Sequence, residues 1–564
     1  MRFEEYQYTR PNLETLKESF NEALETFKQA PTFEEQDASI SDIYKIRNHV
    51  ETMFNLVYIR HTIDTNDEFY KEEQDFLDDL QPHLQGLESN FYAELVNSPF
   101  RTGLEEKWGK QLFALAESQL KTFSPDVVED LQQENKLSSQ YTKLVASAKI
   151  DFDGKEYTLA QMQPLTESTD RDLRKRANEA RVKFFSGHGK EFDEIYDKLV
   201  KVRTEIARKL GYDNFVELGY ARMSRTDYQA DMVANFRKQV EEFIVPIATK
   251  LRERQQERLG LENLIFYDEP VEYTTGNATP KGDPDWIVDN GKKMYAELSP
   301  ETNEWYNFMM EKNLVDLEAK KGKAGGGYCT YIPDYQSPYI FANFNGTSGD
   351  IDVLTHEAGH AFQVYQSRHF AVSEYGFPTM EACEIHSMSM EFFTWSWMEN
   401  FFKEDTEKYK FSHLSSALLF LPYGVAVDEF QHFVYENPEA TPEERKSEWR
   451  EIEKKYLPHR DYEGNEYLES GGYWQRQGHI YNSPFYYIDY TLAQICALQF
   501  WKRLHENRED AWKDYLTLCK QGGSKSFLEL VKVANLKSPF EDGCVESVVG
   551  EIEEWLNKVD DKLL

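Results

Sequence analysis

The sequence predicts a mostly all-α protein with a small β-hairpin or sheet, on three observations. Apolar residues recur at intervals of three and four along most of the 564 residues, as amphipathic helices require. The alternation of apolar and polar residues that marks strands is confined to two short regions, 150–159 and 328–345. No internal repeat is evident, and the length exceeds one small domain, so two lobes are expected, 1–200 and 201–564, both helical.

Taken in order, residues 12–30 open on an Asn12 cap and place Leu13, Leu16, Phe20, Leu24 and Phe27 on one face. The same periodicity predicts helices over 43–60, 67–80 and 84–95, separated by short polar loops, and over 104–123 and 127–134. At 150–159, IDFDGKEYTL alternates around Asp153-Gly154, a hairpin signal. Helices are expected again over 169–185, 191–210 and 227–259, then over 286–313 beyond a loop at 273–284. Two strands, 328–332 and 339–345, bracket a Pro-Asp turn after Gly325–Gly327; no Gly-Lys-Ser/Thr follows these glycines, so no nucleotide loop is present. The second strand is a candidate edge on which an extended peptide could add. Helices then resume over 351–368, 379–402, 410–435, 490–504, 512–519, 526–534 and 545–564, and the stripe of Met388, Met390, Phe392 and Phe393 reads as core.

Bulk properties exclude several functions. The formal net charge is -36, spread along the chain, which repels phosphate backbones and anionic lipid. No run of about 18 apolar residues occurs, so no membrane-spanning helix is expected. The N-terminus lacks the apolar core of a signal peptide, and the five cysteines form no C-x-x-C pair, which points to a reducing cytoplasm.

The stretch 351–368, IDVLTHEAGHAFQVYQSR, carries the chemistry. Gly349 and Asp350 mark its start, and Ile351, Leu354, Ala358, Ala361, Phe362 and Tyr365 form a buried stripe. His356 and His360 then stand one turn apart on one side, able to share a metal ion, with Glu357 beside them. This is the His-Glu-x-x-His pattern of zinc peptidases. A catalytic zinc takes a third protein ligand, and Glu381, Glu384 and Glu391 share a helical face in the next apolar run, with His386 turned away. Burying three carboxylates on that face requires a cation: one as ligand, another orienting a ligand histidine.

The sequence resembles the thimet oligopeptidase and oligoendopeptidase F family of zinc metallopeptidases, and most closely its shorter bacterial members of the Pz-peptidase type. The resemblance rests on HEAGH at 356–360, EIHSMSME at 384–391, PYIFANFNGT at 338–347 and HIYNSPFYYIDY at 479–490. It implies one Zn2+ held by His356, His360 and Glu384, Glu357 as general base, and Glu391 as the carboxylate that orients a ligand histidine, with Glu381 as the alternative for that role. It implies oxyanion donors in His479, Tyr490 and a first tyrosine, Tyr486 or else Tyr481, while Phe485 and Tyr487 pack in the core. Gly471 and Gly472 could let this segment close over a peptide. The implied fold is a two-lobed helical ellipsoid with a deep central channel admitting short, unfolded peptides, collagen-derived fragments among them. The implied activity is internal cleavage; the rivals are a zinc carboxypeptidase or dipeptidase on a similar scaffold and a non-catalytic peptide-binding protein.

Overall fold

A computed structural model describes residues 1–159 and 161–564. It is helical almost throughout, with a two-stranded and a three-stranded sheet. Helix α1 (Leu13–Gln29) starts where Asn12 Oδ1 accepts the Thr15 amide at 3.0 Å, and it buries Leu16, Phe20, Leu24 and Phe27. Helix α2 (Phe33–Ile63) is capped by Thr32. Helix α3 (Glu68–Val96) is one unbroken helix where the sequence predicts two, because Leu77, Leu80, Leu87, Phe91 and Leu95 continue a single buried stripe through the polar interruption. The reverse holds for 104–123, which divides into α4 (Arg101–Trp108) and α5 (Lys110–Leu120) at Gly109. There φ is +92°, and a Cβ would stand 2.7 Å from the Tyr375 hydroxyl.

Helix α6 (Val128–Ala146) leads to the hairpin β1 (Ile150–Phe152) and β2 (Lys155–Tyr157), whose turn residues Asp153 and Gly154 both take positive φ. Then come α7 (Gln163–Thr166), α8 (Arg171–Gly187), α9 (Gly189–Lys209) and α10 (Phe215–Arg222), the last unmarked in the sequence. The run 227–259 forms α11 (Ala230–Gln239) and α12 (Val245–Arg258), joined by a π turn at Val240–Ile244 just before Pro246, which has no amide to donate. Ser299 and Pro300 split 286–313 into α13 (Pro284–Leu298) and α14 (Pro300–Glu311), with Ser299 capping the second.

The three-stranded sheet has the order β3 (Val315–Glu318), β5 (Ser337–Phe344), β4 (Tyr328–Ile332). β5 pairs parallel with β3 and antiparallel with β4, so it is the central strand. The expected peptide edge at 339–345 is therefore wrong: both its hydrogen-bonding sides are taken, and the outer strand on that side is β4. β3 escapes a sequence reading because it is short and half acidic, and only its long-range partner makes it a strand.

β5 delivers the chain to α15 (Gly349–Ser367). Asp350 sits inside the first turn, and its carboxylate accepts the Asn345 and Gly346 amides, each at 2.8 Å, which fixes the entry. Helix α16 (Met380–Phe393) lies between α15 and α22 (Tyr487–Glu506). The run 379–402 is completed by α17 (Glu399–Phe402), and α18 (Thr406–Glu436) and α19 (Pro442–Tyr456) follow, then the short α20 (Glu466–Glu469) and α21 (Gly478–Asn482). After α22 come α23 (Arg508–Gln521), α24 (Phe527–Val533) and α25 (Cys544–Lys558). The terminus leaves the helix at Val559, and Asp561 is drawn into ion pairs with Arg254 and Arg258. Among the described residues no helix is long and apolar enough to cross a membrane.

One core runs from Phe3 through α15, α16 and α22 to Leu556; a second joins α1 to α5 with Val372 and Tyr375. At the centre α15 and α16 approach closely: a Cβ on Gly359 would lie 2.5 Å from the His386 carbonyl oxygen and 2.6 Å from Ser387 Cα. Both are backbone atoms of the neighbouring helix. Gly359→Ala is expected to push the helices apart and destabilise the metal-free protein by about 1–3 kcal/mol, read from denaturant unfolding. An unchanged midpoint would show that the two helices are not held at this distance.

Candidate active site

Helical periodicity puts His356 and His360 on the side of α15 that faces α16. The ligand atoms of His356, His360 and Glu384 all lie within 4.8 Å of one another. Glu384 Oε2 is 3.2 Å from His356 Nε2 and 3.6 Å from His360 Nε2, and it accepts a hydrogen bond from Ser387 Oγ at 2.9 Å. Two imidazoles and one carboxylate converging in this way could hold a metal ion. Burial opposes ionisation of Glu384, but His360, His356 and Ser387 hold its pKa at about 2. Burial lowers the His360 pKa to about 4, leaving a neutral imidazole at neutral pH, the form a metal binds.

Glu391 lies one side further along α16. Its Oε1 accepts from His356 Nδ1 at 2.7 Å and its Oε2 from His413 Nε2 at 2.7 Å. The first contact commits the Nδ1 proton of His356 and turns Nε2 toward Glu384, and although burial opposes its charge the two carboxylates hold the His356 pKa well above the usual imidazole range. His413, on α18, in turn accepts from Trp395 Nε1 at 2.9 Å. Glu381 is elsewhere: it accepts from Thr379 Oγ1 at 2.9 Å, and burial together with the nearby Asp489 carboxylate pushes its pKa up. Asp489 is paired with Arg225 at 2.7 Å, both side chains fully buried. His386, buried on the opposite side, donates from Nδ1 to the Ala382 carbonyl at 2.7 Å.

Glu357 points from α15 toward the start of β4, where a Cβ on Gly327 would lie 3.5 Å from its Oε1. It is 8% exposed, and burial raises its pKa to about 7 against the pull of His356.

Residues 479–490 close the other side. Tyr486 donates to Glu384 Oε1 at 3.3 Å, and its ring centroid is 4.9 Å from that of Tyr490. The His479 ring lies 5.8 Å from Tyr486 and 6.0 Å from Tyr490. Tyr481 is not near them: it is fully buried, stacked on Tyr141 at 3.8 Å, with its hydroxyl donating to the Phe192 carbonyl. Phe485 is buried with φ +67°, an uncommon conformation for a bulky residue. Gln431 Oε1 accepts its amide at 2.9 Å and Arg225 donates to its carbonyl, and this strained residue aims Tyr486 at Glu384. Tyr487 is half-buried and packs against the core, its ring 5.0 Å from His479.

Gln477 was not marked in the sequence. Its amide donates to His479 Nδ1 at 2.8 Å while its carbonyl oxygen accepts from Tyr423 at 2.9 Å, which leaves the His479 proton on Nε2. Burial lowers the His479 pKa, so this neutral donor form holds at neutral pH. Nothing in local spacing marks Gln477 or His413, because each acts through partners distant in the chain. Gly471 and Gly472 are packed rather than free: a Cβ on Gly471 would stand 1.9 Å from the Lys446 carbonyl oxygen, and one on Gly472 2.4 Å from the Tyr467 ring.

A helical scaffold with His-Glu-x-x-His on one helix and a third carboxylate on the next has the donor set of a metallopeptidase. Comparison with known proteins makes this specific. The family description "Peptidase family M3" matches residues 164–281 and 293–549, and "Peptidase M3 N-terminal domain" matches residues 3–123; the chain belongs to peptidase family M3. A solved structure described as Pz peptidase A with inhibitor 2 is 69% identical, covers 100% of both chains and superposes with a TM-score of 0.94. A structure from Bacillus anthracis, of the oligoendopeptidase F type, is 64% identical, with 100% and 99% coverage and a TM-score of 0.90. The oligoendopeptidase F homolog of Borreliella burgdorferi is 25% identical over 438 residues, 72% of this chain and 70% of its own length.

The geometry separates the three glutamates by metal content. Glu384→Ala is expected to lose the ion and Glu381→Ala to keep it. Glu391→Ala should weaken binding by about 10–100-fold through loss of His356 orientation. Competition with a chelator of known affinity measures all three; metal loss in the Glu381 variant alone would reverse the assignment.

Proposed function

We propose that this protein is a zinc-dependent endopeptidase that hydrolyses internal bonds of short oligopeptides. The observation that carries the reading is the convergence of His356, His360 and Glu384 with Glu357 beside them and Tyr486 on the ligand carboxylate. Membership of peptidase family M3 supports the substrate class.

His356, His360 and Glu384 would hold the ion, which when bound would supply a Lewis acid for the scissile carbonyl and the attacking water. Glu391 and His413 keep His356 in the tautomer that presents Nε2. Glu357 accepts the proton of the attacking water and later delivers it to the leaving amine. Tyr486, Tyr490 and the Nε2–H of His479 donate to the oxyanion as it develops, each by something on the order of 3 kcal/mol. An extended peptide adds at the outer side of β4 near Gly327, next to Glu357, since β5 is already paired on both sides. In this reading the substrate reaches the site through a channel between an N-terminal lobe, 1–200, and the catalytic lobe, 201–564, and the enzyme works in the cytoplasm.

Glu357→Gln preserves size and the metal ligands but cannot accept a proton. It is expected to retain zinc while peptide turnover falls by several orders of magnitude, measured on the zinc-loaded protein; turnover near wild type would refute the mechanism. Wild-type protein is expected to cut a peptide blocked at both termini at an internal bond. Failure on that peptide, with trimming of its unblocked form from the C-terminus, would favour a carboxypeptidase.

A further inference from the structure

Arg476 stands three residues before His479, at the end of the turn Tyr473–Arg476. Its side chain is exposed, yet it is surrounded: Tyr473, Tyr423, Arg460 and Tyr462 all lie close enough to act on its charge. Arg460 is paired with Glu269 at 2.7 Å. Among the described residues Arg476 has no such carboxylate, and its guanidinium instead sits 4.6 Å over the Tyr473 ring. Arg181, on α8, is close enough to feel the Arg476 charge and forms no ion pair among the described residues, Glu167 acting on it only at longer range; its own contacts are long, to Gln163 Oε1 at 3.4 Å and Thr166 Oγ1 at 3.5 Å. In a chain with 100 acidic and 64 basic residues, neither of these two neighbouring arginines is held in an ion pair among the described residues.

The two arginines, with Tyr467 and Tyr473, line a cavity of about 30 Å³. That holds roughly two waters, the footprint of one carboxylate group. From Arg476 a row of rings leads to the catalytic residues. Tyr473, Tyr423, Tyr487 and Tyr490 follow one another at centroid separations of 6.1, 5.9 and 5.8 Å. An extended peptide spans that distance with roughly four to six residues, at about 3.3 Å each.

We propose that Arg476 and Arg181 form a carboxylate-binding subsite that grips a peptide substrate a few residues from the bond being cut. The inference rests on the peptidase reading above. Guanidinium groups suit the task because their planar donors match both oxygens of a carboxylate, and the incoming anion relieves the repulsion between the two cations. Burial and the Arg476 charge both lower the Arg181 pKa, in line with that repulsion. The carboxylate belongs either to the free C-terminus or to an Asp or Glu side chain.

The test uses the full-length zinc-loaded protein and peptides of one length and sequence. Their C-termini are acid or amide, and Asp or Asn is scanned along the chain. KM is measured for wild type, Arg476→Gln and Arg181→Gln. Wild type is expected to favour one carboxylate over its neutral counterpart by roughly tenfold in KM, and each variant to bring that ratio close to one. Preference for the acid terminus identifies the C-terminal carboxylate, and preference for Asp at one position identifies a side chain. No preference in wild type, a preference that survives in both variants, or variants that impair every peptide alike would overturn the subsite. If wild type cut none of the peptides, the peptidase reading itself would fail, and the subsite with it.

Discussion

The site depends on how closely α15 and α16 approach. Gly359 sits between the two histidines of the motif, on the side of the helix that meets the His386 and Ser387 backbone, and any side chain there would collide with it. The glycine thus sets a distance that the histidines and glutamate need but cannot enforce. At that distance the Glu384 carboxylate falls between two imidazoles, and Ser387, one turn on, is placed to donate to it. Packing comes first here, and the coordination geometry follows from it.

The three glutamates of α16 show how one helical face can bury acid in three ways. Glu384 is balanced by His356 and His360, Glu391 by two imidazoles from different helices, and Glu381 shares its surroundings with the Arg225–Asp489 pair. Each solution reaches a different neighbour, α15, α18 or the segment after α10, so the charges that would cost most if left alone join the elements around the site. Arg225 has a second part, since it also donates to the carbonyl of the strained Phe485. The conformation that aims Tyr486 therefore leans on the same buried ion pair.

Features fixed within a few residues were legible in the sequence. Asn12 caps α1, Asp153-Gly154 turns the first hairpin, and the spacing of His356 and His360 alone puts both on one side of α15. The family resemblance supplied Glu384, Tyr486, His479 and Tyr490, which stand around that pair. What was not legible depends on partners far along the chain. The continuity of α3 is decided by packing and β3 exists through β5, while His413 and Gln477 matter through single hydrogen bonds to residues of other elements. The expected strand edge failed for the same reason: local alternation marks a strand but not its place in a sheet.

The loop between α15 and α16 ties distant parts of the chain together. Glu374 is bound by Arg47 of α2 at 2.6 Å and by the Tyr92 hydroxyl of α3, and the Tyr375 hydroxyl accepts the Leu112 amide of α5 at 3.0 Å. The Gly523 amide donates to the Tyr375 carbonyl from the other side at 3.0 Å. The segment that matches the family's N-terminal domain is thus stitched into the connection between the two ligand-bearing helices. Cutting the chain between these modules would leave Glu374 without the Arg47 and Tyr92 groups that hold it, while Arg47 would keep Glu88. The N-terminal helices therefore bear on the spacing of the two ligand-bearing helices without touching the ligands themselves.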